Sequence, residues 1–322
     1  MATMPSRLIG LVLAILFLAG WTAVLAQEPV PKVEEGLAGK YPGDAGIARD
    51  PAVIFASGFE QEFTGWSEFN PKVSVIVNDA ALVHSGRSCA QTTATRGRDS
   101  GGDIVYNFPK GVDRLYLRFY CRFHPDTVMP HHFVKIRAVH NYWPNAGTRP
   151  PGDKAFWTGV EPTRERTWNF YTYWHKMRGW RATPAGTRDD YYGNTFNPDG
   201  QKPFDLDTWI CVEAMMKANT VGKSDGELAF WIDGRKIGHW SSGSPVGTWS
   251  RDKFVTSGVW NIDPKPFEGF DFRSDGSVTI NAVALQWYVS DRVNRNAKTD
   301  RNIIYFDDVV LATDYVGPMK KK

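Results

Sequence analysis

The chain has 322 residues, 42% of them apolar and 14% aromatic, with a formal net charge of +3 at pH 7. A charge this close to zero excludes a nucleic-acid binder built on a strongly basic surface. Three cysteines, Cys89, Cys121 and Cys211, are too few for a disulfide framework, and the absence of CxxC, HExxH and EF-hand patterns leaves zinc-protease and EF-hand designs without support.

In chain order, residues 1–26 read as a signal peptide. Arg7 supplies the positive start, Leu8 to Leu18 a short apolar run, and Val24-Leu25-Ala26 a small-residue cleavage site before Gln27. The apolar run is short for a membrane span, so the expectation is a secreted or periplasmic protein with no membrane attachment. Cleavage removes Arg7 and no acid, leaving 37 basic against 35 acidic residues, a charge of +2. Residues 27–51, rich in Pro, Gly, Ala and charge without periodicity, are expected to be a flexible lead-in. Residues 52–317 then form one domain, and 318–322 a solvated basic tail.

Within that domain, period two dominates. Leu115, Leu117, Phe119, Cys121 and Phe123 point one way, and Tyr116, Arg118, Tyr120 and Arg122 the other. After a Pro-containing turn, Val134 and Ile136 share an apolar face, while His131, Lys135 and Arg137 share the opposite one. From Trp168 to Met177, Tyr171, Tyr173 and His175 alternate with Phe170, Thr172 and Trp174. From Trp209 to Asn219, Glu213 and Lys217 stand opposite Val212, Ala214 and Met216. Asp233-Gly234 between two strand-like runs predicts a hairpin. Val278–Val289 and Ile303–Leu311 are further strands. The polar stretches 141–167 and 178–208 read as long loops walling a groove. Many strands with no βαβ alternation predict an all-β, concanavalin A-like jelly-roll sandwich of two antiparallel sheets. Cys121 and Cys211 fall inside apolar patterns and are expected to pack as small hydrophobes.

Two sheets that bury one face each leave the other face free. On that free face the alternation places Arg118, Tyr120, His131, Lys135, Tyr171, Tyr173, His175, Glu213 and Lys217. Such a mixture suits β-elimination on a uronic acid chain. A cation neutralises the carboxylate, a base removes the C5 proton, and an acid protonates the leaving oxygen. The expected roles are Tyr173 and His175 as acid and base, with Arg118 or Lys135 as the neutralising cation and His131 beside them. Tyr120, Tyr171, Glu213 and Lys217 then contact substrate. Paired carboxylates in the first and last strands, Glu60 and Asp307-Asp308, point to a calcium ion stapling the two together.

Four segments carry a family resemblance: IFASGFE followed by Gly65-Trp66, Val83-His84-Ser85-Gly86-Arg87-Ser88, DGELAFWIDG, and IYFDDVVLATDYVG. The chain resembles the jelly-roll polysaccharide lyase-like group, which contains glucuronan lyases and a related fungal cellulose-induced secreted protein. The resemblance covers residues 52–317 in outline. It implies a structural calcium held by Glu60, by the turn at Ser85 and by Asp307 or Asp308. It also implies a monomer acting on an acidic polysaccharide. Two other readings are a non-catalytic carbohydrate-binding module of the same fold and an envelope structural or adhesion domain. A retaining glucanase of this fold would carry ExDxxE, which this sequence lacks.

Overall fold

Alternation of large apolar and polar side chains makes a strand amphipathic, and two sheets of such strands bury their apolar faces against each other. The computed structural model describes residues 35–181, 190–295 and 297–321. The expected signal peptide, residues 27–34 of the lead-in and Lys322 of the tail lie outside them, as do residues 182–189 of one predicted loop. No described helix is long and apolar enough to cross a membrane.

The strands are β1 (Val53–Ser57), β2 (Glu68–Phe69), β3 (Ser74–Val77), β4 (Cys89–Thr95), β5 (Gly101–Val112), β6 (Arg114–Phe123), β7 (Lys135–Val139), β8 (Ala155–Pro162), β9 (Trp168–Tyr173), β10 (Asn194–Phe196), β11 (Ile210–Lys217), β12 (Glu227–Ile232), β13 (Arg235–Trp240), β14 (Val246–Ser250), β15 (Lys253–Val255), β16 (Lys265–Pro266), β17 (Ile280–Tyr288) and β18 (Arg301–Ala312). The first sheet runs β13-β12-β11-β6-β18-β4-β3, with β1 also on β18. The second runs β16-β14-β15-β10-β9-β8-β7-β17-β5-β2. Apart from the parallel pair β10–β15, neighbours are antiparallel, and the architecture is the predicted jelly-roll sandwich.

Between the sheets lie Leu117, Phe119 and Phe123 of β6, Phe306 of β18, Phe133, Phe156 of β8, Phe170 of β9 and Trp287 of β17, all fully buried. Rings of this size contribute roughly 1.5–3 kcal/mol each on burial, so the alternation is enforced along every central strand. The Asp233-Gly234 turn joins β12 to β13 with both residues at positive φ, 49° and 77°, the conformation that Asp-Gly hairpins favour. All three cysteines are buried and free.

Three expectations change. Residues 141–167 contain β8, and 178–208 contain β10. Strand β8, AFWTGVEP, is buried on both sides except at Glu161, so it lacks the polar half of the alternation that marks a surface strand. The lead-in from residue 35 onward is docked rather than flexible. Short 3₁₀ turns at Leu37–Lys40, Pro42–Asp44 and Ile47–Arg49 bury Leu37, Ala38 and Ile47 against Val310, Ala312 and Val316. The amides of Leu37 and Ala38 donate to the Tyr315 and Val316 carbonyls at 3.0 and 2.8 Å, and that of Gly43 donates to the Lys320 carbonyl at 2.7 Å. Most of the expected basic tail is thereby part of the same covering.

Candidate active face and the paired carboxylates

Three central strands of the second sheet place a row of residues side by side. Lys135 of β7 registers with Gly159 of β8, and Gly159 registers with Tyr171 of β9. The strands stand about 4.8 Å apart, so Lys135 and Tyr171 face each other across a glycine at roughly 10 Å. Their sequence neighbours Ile136, Phe170 and Thr172 are buried in the core, so this row lies on the outer face. In the next row Arg137, Trp157 and Tyr173 line up in the same way.

Glu161 leans back over the glycine: a β-carbon on Gly159 would lie 2.8 Å from Glu161 Oε1. The same carboxylate bonds His132 Nδ1 at 3.0 Å. The His132 ring lies 5.4 Å from that of Tyr171 and 4.5 Å from that of His131. His131 in turn bonds Ser290 Oγ at 3.1 Å. On the far side of Lys135, Arg137 donates to Asp103 Oδ2 at 2.8 Å, and Gln286 donates to Asp103 Oδ1 at 2.8 Å.

The electrostatics separate two roles. Burial lowers the pKa of Lys135 below its ordinary 10.5, with Arg137 adding to the effect against Glu161 and Asp103. Among the described residues its ammonium has no hydrogen-bond or ion-pair partner. Burial raises the tyrosines above 10, and their hydroxyls lie 3.4 Å apart. A lysine of lowered pKa and a tyrosine of raised pKa on one face can serve as base and acid.

The predicted site residues divide between the two sheets. Lys135, His131, Tyr171 and Tyr173 fall on the face just described. Tyr173 is only 7% exposed, and its ring stacks on Trp157 at 4.6 Å, whereas Tyr171 is partly exposed. His175 lies past the end of β9, where its Nδ1 donates to the Phe272 carbonyl at 3.2 Å and its ring fills the space left by Gly152. It is not in the tyrosine row. Arg118, Tyr120, Glu213 and Lys217 belong to β6 and β11 of the first sheet, on its outer face, and cannot meet Lys135.

There Arg118 is fully buried in an ion pair with Asp44 from the docked lead-in. Glu213 accepts from the amides of Val316 and Gly317 at 2.7 and 2.8 Å. Tyr120 accepts from the Met319 amide at 2.9 Å, and Lys217 pairs with Glu227 at 2.8 Å. Arg118, Glu213 and Tyr120 thus hold the docked lead-in and the 316–319 segment, while Lys217 is held by β12. Alternation had identified which side of its own strand each occupies, but it carries no information on which sheet the strand joins. His132, Gly159, Glu161 and Trp157 were missed because β7 begins only at Lys135 and β8 read as loop. Splitting 155–161 into Phe156, Thr158, Val160 and Trp157, Gly159, Glu161 was the available signal.

The paired carboxylates sit elsewhere. β1 pairs with the second half of β18, Ser57 opposite Val309, so first and last strands do lie side by side. Asp307 and Asp308 occupy an irregularity in the β18–β6 ladder, with Asp308 at φ 45°. The amides of His84 and Ser85 donate to Asp307 Oδ2 at 3.1 and 3.3 Å. Asp308 binds His84 Nδ1 at 2.6 Å and Ser85 Oγ at 2.8 Å. Glu60 accepts from the amides of Arg87 and Ser88 at 2.6 and 3.0 Å. Burial, reinforced by the adjacent Asp308, raises the pKa of the Asp307 carboxyl. Glu60, Ser85 and Asp308 line one pocket of about 680 Å³ with Ser57, Gly58 and Asp44. Among the described residues no three His, Cys, Asp or Glu side chains converge as metal ligands. The oxygen-only donor chemistry suits a hard cation, which here would draw on backbone carbonyls to complete its shell.

No family model and no curated protein matches the sequence. Solved structures do match. The alginate lyase vAL-1 from Chlorella virus is 12% identical with a TM-score of 0.53, over 81% of this chain and 99% of that one. The marine PL-14 alginate lyase from Aplysia kurodai is 13% identical with a TM-score of 0.51, over 81% and 99%. The endo-β-1,4-glucuronan lyase from the fungus Trichoderma reesei is 14% identical with a TM-score of 0.49, over 81% and 95%. The chain therefore has the jelly-roll fold of the polysaccharide lyases.

Proposed function

We propose that this protein is a polysaccharide lyase that cleaves a uronic acid chain by β-elimination on the outer face of its second sheet, and that it acts outside the cytoplasm. The observation that carries the reading is the register Lys135–Gly159–Tyr171: an unpaired lysine of lowered pKa and a protonated tyrosine either side of a residue with no side chain. The fold shared with two alginate lyases adds support.

In this reading Lys135, as the free amine, takes the C5 proton of the uronate. The C5–H electrons form a C4=C5 double bond as the C4–O bond breaks, and Tyr171 gives its proton to the departing oxygen. The resulting ammonium and phenolate exchange a proton through solvent to restore the pair. Arg137, one row from Lys135, neutralises the substrate carboxylate, so that negative charge developing beside C5 is stabilised. The His132–Glu161 pair holds the lower edge of the row. A calcium ion at Glu60, Ser85 and Asp307 or Asp308 is proposed as structural only, because it would lie at the β1–β18 edge of the first sheet, away from this row.

Incubation with alginate, glucuronan and polygalacturonate, followed by the ultraviolet absorbance of the unsaturated product, tests the reading. Absorbance should rise with at least one polymer and with no neutral glucan. Unchanged absorbance with every polyuronate would contradict it.

A further inference from the structure

A second cluster of cations lies at the lower end of the same central strands. The turn between β8 and β9 carries Arg164 and Arg166, and the short helix Asp291–Asn294 carries Arg292. These three arginines line a pocket of about 490 Å³ whose apolar lining includes Val128, Met129, Leu206 and Val293. Among the described residues none of the three guanidiniums has a carboxylate partner, whereas Arg87, Arg96, Arg118, Arg122, Arg137, Arg178, Arg181 and Arg273 do. Their chain neighbours Glu165 and Asp291 do not line the pocket.

The turn is held in place. Thr163 and Thr167 bond each other through backbone at 2.7 Å and through hydroxyls at 2.8 Å. Arg166 takes a positive φ of 61°, and its carbonyl accepts from the Phe204 amide at 2.8 Å. The fixed turn sets the backbone positions of Arg164 and Arg166, and a guanidinium fork matches a carboxylate. The apolar lining suits the C–H face of a pyranose. Free inorganic anions would use the arginines alone and leave that lining uncovered.

The pocket is joined to the candidate active face through the chain. Pro130, one of its lining residues, precedes His131, whose ring lies 4.5 Å from that of His132 beside Tyr171. We propose that the Arg164–Arg166–Arg292 pocket is a distal subsite that holds a carboxylate-bearing sugar of the polymer while another part of the same chain lies across Gly159. The proposal rests on the polyuronate reading above. It makes the protein selective for long acidic chains over short ones.

The test uses the full chain, a glucuronic acid hexamer and trimer, and a neutral cello-hexamer. The variant carries Arg164→Gln, Arg166→Gln and Arg292→Gln, with each single change as a control and thermal melting to verify folding. Calorimetry should show the hexamer bound at least about tenfold more weakly by the triple variant, the equivalent of about 1.4 kcal/mol, with trimer affinity unchanged. Equal hexamer affinity in a folded triple variant overturns the proposal even if lyase turnover is found. Weaker hexamer binding by the triple variant, with no turnover by the wild type on any polyuronate, supports the subsite and removes the lyase reading instead. Failure of the wild type to bind the hexamer, or equal affinity for the cello-hexamer, overturns the subsite.

Discussion

The outer faces of the two sheets are built from similar residues, but their polar groups meet different surroundings. Each carries an arginine, tyrosines and a glutamate in alternation with a largely apolar inner face. On the first sheet, Arg118, Tyr120 and Glu213 are consumed by the chain termini. Asp44 of the lead-in pairs with Arg118, and the 316–319 segment bonds Glu213 and Tyr120. On the second sheet, Lys135 and Tyr171 meet neither of those segments, and a glycine lies between them, although Gly193 packs against the Tyr171 ring. Composition of a face therefore does not decide its role. What decides is whether another part of the chain satisfies its polar groups.

The largest effects are expected on the second sheet's outer face. Lys135→Ala and Tyr171→Phe should each lower kcat on the responsive polyuronate by about 10²- to 10⁴-fold, the usual share of a positioned acid or base, with little change in Tm. His175→Ala, outside the row, should leave kcat within a few-fold of wild type. At the other face the effect should be on stability. Asp44→Ala strands Arg118 in the interior and should cost about 3–5 kcal/mol in denaturant unfolding, as expected for removing one partner of a buried pair. Arg118 Nε and Nη1 and Asp44 Oδ1 already lack partners. Replacing both residues together, Asp44→Leu with Arg118→Met, should therefore recover most of that loss. The specific activity of the folded fraction should be unchanged in both cases.

A chelator should act on stability and leave activity in place. If calcium staples β1 to β18, its removal should lower Tm, by the equivalent of about 2.7 kcal/mol when free calcium had stood a hundredfold above Kd. Activity well below the lowered Tm should persist. Identical melting curves, with no calcium on metal analysis, would remove the ion from the account. The smallest expected effect is on the pH profile. Lys135 must be neutral to act as base and its pKa is lowered, so kcat/KM should rise with pH to a midpoint below 10.5, while Tyr171, raised above 10, stays protonated across that range. A midpoint at or above the ordinary lysine value would exclude Lys135 as the base.

Much of the sandwich was legible in the sequence because packing two sheets enforces alternation: β6, β9, β11 and the β12–β13 hairpin follow it residue by residue. The pairing of first strand with last was legible from their shared aromatic and acidic character. Half of the candidate site was legible for the same reason, with Lys135, Tyr171 and Tyr173 on the correct side of their strands. The grouping of Arg118 with Lys135 failed because period two reports a side chain's direction and nothing about long-range strand order. Strand β8 was hidden because Trp157 is covered by Tyr173, which makes both of its sides apolar. The docked lead-in was hidden because Leu37, Ala38 and Ile47 are too sparse to form a periodic pattern; they become a cluster only against β18.

The claim that the second sheet's outer face is the working face is tested most directly by the crystal structure of Lys135→Ala with a tetramer of the responsive uronic acid. The account predicts the sugar chain lying over Gly159, with a glycosidic oxygen within hydrogen-bond reach of the Tyr171 hydroxyl and a carboxylate on Arg137. A tetramer seated on the first sheet, or in the pocket beside Glu60 and Asp308, with the Lys135–Tyr171 row bare, would contradict it.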